Sequence, residues 1–174
     1  MTELHDQTRI VDTQIERENI NSWDWAHAER YCRAFLARDL QSMSKTYDDD
    51  SRAFTTAIVV TYARPFSGNR DREGRRDPVN ANYVEALEEK ARAIHDRIVE
   101  LRNTAFAHSD AKHHDVQIHE TKGDGLTTFS HDPLVPLEKS EVEALLSNIE
   151  VFKALNKKLR TDAIAKRLAQ IKPA

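Results

Sequence analysis

Apolar or small residues recur at Val84, Leu87, Ala91, Ile94, Ile98, Leu101 and Ala105, and His108 completes the series at alternating steps of three and four. A strand cannot keep such a series on one side, because its side chains alternate faces with a period of two. On a helix the same positions form a single seam that another helix must cover. The intervening residues, rich in Ala, Glu and Arg, have high helix propensity. The spacing predicts a long helix over residues 80–107, and a protein assembled by helix packing. Composition agrees: four Gly and five Pro in 174 residues leave few breakers, and 32% charged residues supply solvated faces.

The rest of the chain reads as further helices around this one. Residues 1–21 are polar with isolated Ile10, Ile15 and Ile20, and are expected to form an N-terminal arm. From Ser22, read as an N-cap, a stripe runs through Trp25, Ala28, Cys32, Leu36, Leu40, Met43 and Tyr47, predicting the first core helix. Asp48 to Ser51 supply caps for a second helix with Phe54, Ile58 and Tyr62 on one face, ending near Arg64-Pro65. Its Thr-Ala-Ile-Val-Val centre would also suit a buried strand. Residues 66–79 read as a charged loop. Two β-favouring runs, Val116 to Glu120 and Leu126 to Ser130, flank Lys122-Gly-Asp-Gly125 and predict a small hairpin. A final helix from Glu138 carries Val142, Leu145, Ile149, Phe152 and Leu159, continuing or restarting through Ile164, Leu168 and Ile171. The expectation is an all-α, antiparallel bundle of four to five helices with a hairpin inserted near 115–130, forming one domain over 22–174.

Charge and cysteine usage bound the setting. The formal net charge of -3 gives no overall bias toward nucleic acid, but its distribution is uneven. Residues 151–174 hold seven Lys/Arg against one acid, and residues 64–76 hold five Arg against Asp71 and Glu73. Cys32 is the one cysteine, which excludes an internal disulfide framework. The N-terminal residues lack the pattern of a signal peptide, and the longest nearly apolar run, Ala53 to Ala63, is too short to span a bilayer. A soluble cytoplasmic protein with no membrane contact is expected.

The segment Leu101 to Asp110, reading Leu-Arg-Asn-Thr-Ala-Phe-Ala-His-Ser-Asp, concentrates the chemistry. A guanidinium offers a fixed fork of donors for a phosphate, and an imidazole moves protons near neutral pH. On an uninterrupted helix, Arg102 and His108 stand about 120° apart around the axis and roughly 9 Å apart along it. Convergence on one phosphate therefore needs the helix to end near Ala107 or a second copy to complete the site, and the seam offers a surface for such pairing.

These residues resemble the signature of HEPN domains, helical proteins of nucleases and toxin systems. That motif is an Arg, a polar residue, and then a His after a short spacer, matched here by Arg102, Asn103 and His108. Motif-level likeness covers ten residues, and the helical likeness covers residues 22–160. The resemblance implies a homodimer whose two motifs face a shared cleft, with metal-independent endoribonuclease chemistry and no cofactor. In that scheme His108 handles the proton at the 2′-hydroxyl or the leaving oxygen. Arg102 holds the scissile phosphate, and Asn103 orients the histidine or the RNA. It places the chain among toxin or abortive-infection proteins with RNA as substrate and a cognate antitoxin as partner. Two other readings fit the same residues. One is a catalytically silent HEPN module that binds nucleotide or a partner protein, and the other a structural helical dimer in which Arg102 and His108 only secure a helix end.

Further substrate contacts are expected from His95, two turns before Arg102, from Asp110, and from the loop residues Arg70, Arg72, Arg75 and Arg76. The bland alternatives are a partly exposed surface histidine and a solvated loop. That loop has no interleaved aromatic to stack bases; Lys157, Lys158 and Arg160 read either as an extension of a substrate-binding face or as a solvated helix tail. His113, His114, His119 and His131 lack a Cys or carboxylate pattern at ligand spacing, so no metal site is expected. Cys32, on the buried stripe, reads as core.

Overall fold

A computed structural model describes residues 2–38, 49–67, 81–106, 116–121, 125–130 and 136–171; side chains are described for 8–38, 49–67, 82–104 and 136–171. The elements are α1 (Thr2–Ala37), α2 (Asp49–Ala63), α3 (Ala81–Glu85), α4 (Glu89–Leu101), strands β1 (Val116–Thr121) and β2 (Gly125–Ser130), and α5 (Lys139–Ile171). The protein is helical in its core, and α1 and α5 run antiparallel along each other. The strands pair antiparallel from Val116 opposite Ser130 to Thr121 opposite Gly125.

The expected N-terminal arm is the first half of α1. Ser22 lies inside a helix that starts at Thr2, so it caps nothing. Buried positions on α1 are Val11, Glu18, Asn21, Asp24, Trp25, Ala28, Cys32 and Phe35. Leaving Asp24 aside, they repeat at the three- and four-residue steps of one helical face. Because Glu18 and Asn21 are polar, a search for apolar periodicity stops short of them.

A matching polar position on α5 explains their burial. Its inner face carries Val142, Leu145, Ile149, Phe152, Asn156 and Ala163. The Asn156 amide donates to the Glu18 carboxylate at 2.7 Å and to the Glu18 carbonyl at 2.9 Å. The Tyr83 hydroxyl donates to the same carboxylate. Buried polar groups without partners cost about 1–3 kcal/mol each. A slip of α1 against α5 would strand all three, so the cluster fixes their register. Arg167 to Asp12 at 2.8 Å and Lys153 to Glu29 at 2.5 Å mark the same register further out.

Aromatic rings fill the centre. Trp25 packs edge-on to Tyr83 with centroids 4.7 Å apart and lies 5.3 Å from Phe152, which is 5.4 Å from Phe66. The second segment is a helix, and its Ile58, Val59 and Tyr62 join this core. At its end, Pro65 enters a 3-10 turn over Arg64–Phe66 that swings Phe66 inward, secured by Ser67 Oγ donating to the Ala63 carbonyl at 2.7 Å. At the start of α5, the Glu141 carboxylate accepts from the Glu138 N–H at 2.9 Å, in the manner of a capping box. Thr55 Oγ1 accepts from the Leu137 N–H at 3.1 Å.

The long helix expected over 80–107 is divided. After α3 the chain turns through Leu87, and Glu88 is extended with ψ of 159° before α4 begins. Each piece buries its own face: Tyr83 and Leu87 before and in the turn, His95 and Ile98 in α4.

Candidate functional site

The motif arginine sits where α4 changes its winding. The Arg102 N–H points to both the Ile98 and Val99 carbonyls, and residues Arg102–Phe106 form a π-helical turn. Thr104 contributes locally, because its Oγ1 donates to the Glu100 carbonyl at 2.9 Å and lies 3.4 Å from that of Leu101. Such back-bonding competes for the carbonyls of the preceding turn and loosens the regular ladder. Single π turns are frequent at functional sites.

Arg102 is half-buried and Asn103 exposed. Arg102 Nη1 donates to Asn103 Oδ1 at 3.0 Å. This bond uses one of five guanidinium N–H groups and holds the fork in place. The geometry suits a phosphate or carboxylate approaching the helix end. His108 and Asp110 lie outside the described residues, as do Arg70, Arg72, Arg75 and Arg76.

His95 is not a substrate contact, nor the partly exposed residue of the bland reading. It is 3% exposed and packs edge-on to Phe66 with centroids 4.4 Å apart. Its Nδ1 lies 3.2 Å from the Tyr62 hydroxyl. Burial holds its pKa below the usual imidazole value, with a smaller opposing effect from Asp96. His95 and Arg102 are seven residues apart and share one stripe of α4. That stripe is deep in the core at His95 and half-buried at Arg102.

Cys32 is buried, and its thiol is pushed up to about 12 by burial, which fits a core residue and not a nucleophile. Among the described residues no group of three His, Cys, Asp or Glu side chains is placed to hold a metal ion. His113, His114 and His131 lie outside them, and His119 is described only as backbone on β1. No described helix is long and apolar enough to cross a membrane.

One exposed group escaped the sequence reading. Trp23 is 67% exposed, while Trp25, two residues on, is fully buried. Two residues rotate a helix by about 200°, so the Trp-Asp-Trp sequence had to place its tryptophans on opposite faces. Comparisons with models of known protein families, with curated proteins and with solved structures find no match to this chain.

Proposed function

We propose that the chain is a HEPN-type, metal-independent endoribonuclease of a toxin or host-defence system, acting as a homodimer with a site shared by two copies of Arg102, Asn103 and His108. The observation that carries this reading is the Arg102–Asn103 bond on the π turn at the end of α4. It sets a guanidinium, with donors to spare for an anion, at the end of α4, six residues before the motif histidine.

In the proposed reaction His108 takes the proton of a ribose 2′-hydroxyl, whose oxygen attacks the adjacent phosphorus. The bond to the 5′-oxygen breaks, and that oxygen leaves with a proton delivered by an imidazolium. The products are a 2′,3′-cyclic phosphate and a 5′-hydroxyl. Arg102 stabilises the charge that builds on the phosphoryl oxygens. Proton removal and delivery are separate tasks, and with His95 in the core the motif supplies one imidazole per chain. A dimer supplies two. The same burial also favours a second reading, in which a site with one imidazole binds nucleotide or a partner protein without cutting.

The deciding experiment incubates the purified protein with RNA in excess chelator. Cleavage to cyclic-phosphate ends, abolished by His108→Ala and by Arg102→Ala with the fold intact, supports the ribonuclease. Intact RNA of every class, together with measurable nucleotide binding, favours the silent module.

A further inference from the structure

The α1–α5 pair carries a second anion-attracting surface away from the motif. Arg160 Nη1 donates to Asn19 Oδ1 at 3.3 Å, and Lys153 pairs with Glu29 at 2.5 Å. Along the helix axes these cross-links bracket Trp23 and His27 on α1 and Lys157 on α5. At about 100° per residue, Asn19, Trp23 and His27 fall within about 80° of one another, and Lys153, Lys157 and Arg160 within about 60°. The exposed Trp23, whose ring lies 6.4 Å from that of His27, is thus level along the helix pair with Lys157. Ile20 and Tyr31, 56% and 37% exposed, extend the apolar side.

The charge balance is positive. Residues 16–33 and 150–160 together hold seven Lys/Arg, namely Arg17, Arg30, Arg33, Lys153, Lys157, Lys158 and Arg160, against Glu16, Glu18, Asp24, Glu29 and Glu150. Asp24 is buried and paired with Arg64, and Glu29 is held between Arg33 and Lys153. Glu18 is buried against Asn156 and Tyr83, so Glu16 and Glu150 remain to be set against Arg30, Lys157 and Arg160.

We propose that this face binds a single strand of RNA, with a base stacked on Trp23 and the backbone phosphates held by Lys157, Arg160 and Arg30. An exposed aromatic beside a basic track is what binding without sequence preference requires, since every base has a π face and every linkage a charge. Along α5, Lys157 lies about 24 Å from Glu141, the residue that pairs with Arg97 near the motif end of α4. The face is thus a separate contact for a strand longer than a dinucleotide. The choice of RNA as the strand rests on the ribonuclease reading; the binding face does not.

The test uses the full chain carrying His108→Ala and follows tryptophan emission during titration with oligouridylate. Binding is expected to quench the Trp23 part of the emission and leave that of buried Trp25. Trp23→Leu should abolish the quench and weaken binding by roughly 5- to 100-fold. Lys157→Glu with Arg160→Glu should lower the slope of log affinity against log salt by roughly 1.4. Circular dichroism confirms that each variant is folded. Oligouridylate binding that leaves Trp23 unquenched, or unchanged affinity in both variants, overturns the proposal. So does a Trp23 shift produced by self-association or by phosphatidylserine vesicles and not by oligouridylate. Quenching in a protein that cuts no RNA refutes the ribonuclease and leaves this face standing; normal cutting without quenching does the reverse.

Discussion

His95 Nδ1 lies 3.2 Å from the hydroxyl of Tyr62, inside the aromatic core. The Asn148 amide donates to that same hydroxyl at 3.1 Å and to the Ala91 carbonyl at 3.0 Å. A carbonyl only accepts, so the Ala91 contact fixes which end of Asn148 is the NH2 group. With Asn148 donating to its oxygen, Tyr62 turns its proton toward His95. A bond in that sense takes the neutral imidazole protonated on Nε2.

That arrangement makes stability depend on pH. The folded-state pKa of His95 is below the ordinary 6.5 because burial disfavours the imidazolium. Below about pH 6.5 the unfolded chain takes up a proton that the folded chain resists. The contribution is therefore whole above that pH and is lost as pH falls toward the folded-state value. Melting curves from about pH 7.5 to about pH 5 should show His95→Phe losing less stability on acidification than the parent. Parallel curves would show that His95 is not the group responsible.

Asp24 makes the opposite prediction. Its carboxyl is raised by burial, and the Arg64 bond at 2.8 Å does not fully compensate. One of its oxygens, Oδ2, is buried without a hydrogen-bond partner. An acid with a raised folded-state pKa gains stability as pH falls through that value toward the ordinary 3.8. At neutral pH the charge costs more than its ion pair returns. Asp24→Asn is expected to leave stability at pH 7 unchanged or higher, and a loss above about 1 kcal/mol in urea unfolding would contradict this.

Asn156→Leu tests whether the first half of α1 belongs to the core. It removes the Asn156 amide from the Glu18 carboxylate and carbonyl inside a closed site, leaving the carboxylate the Tyr83 hydroxyl. The expected loss is about 2–4 kcal/mol. A loose N-terminal arm would leave Asn156 at the surface, where the same change falls within about 0.5 kcal/mol. Equilibrium denaturation separates the two.

Cys32 should stay silent to thiol reagents in the native protein at mildly alkaline pH, because burial raises its thiol to about 12 and closes access. Modification should begin only in denaturant and follow unfolding measured by circular dichroism. Rapid labelling without denaturant would show that the α1 seam opens locally.

Several elements were legible in the amino-acid order because apolar periodicity marks them. The stripe from Trp25 to Leu36 and the series from Val142 to Phe152 correctly announced helices and their buried faces. Reading failed where a buried face is polar. Glu18, Asn21 and Asn156 look like surface residues until each meets its partner from another element, and His95 looks like a flank residue until Tyr62 and Phe66 close over it. The division of α3 from α4 has no Pro or Gly to announce it.

The sequence alone determined a helical protein, the core faces of its clearest helices, and the placement of Arg102 and Asn103 near a helix end. Those follow from local periodicity, which needs no knowledge of neighbours. Tertiary structure decided which polar groups are interior, since burial of a polar atom depends on a partner distant in sequence. It also set Trp23 level along the helix pair with Lys157, more than a hundred residues away, because only the register between α1 and α5 relates them.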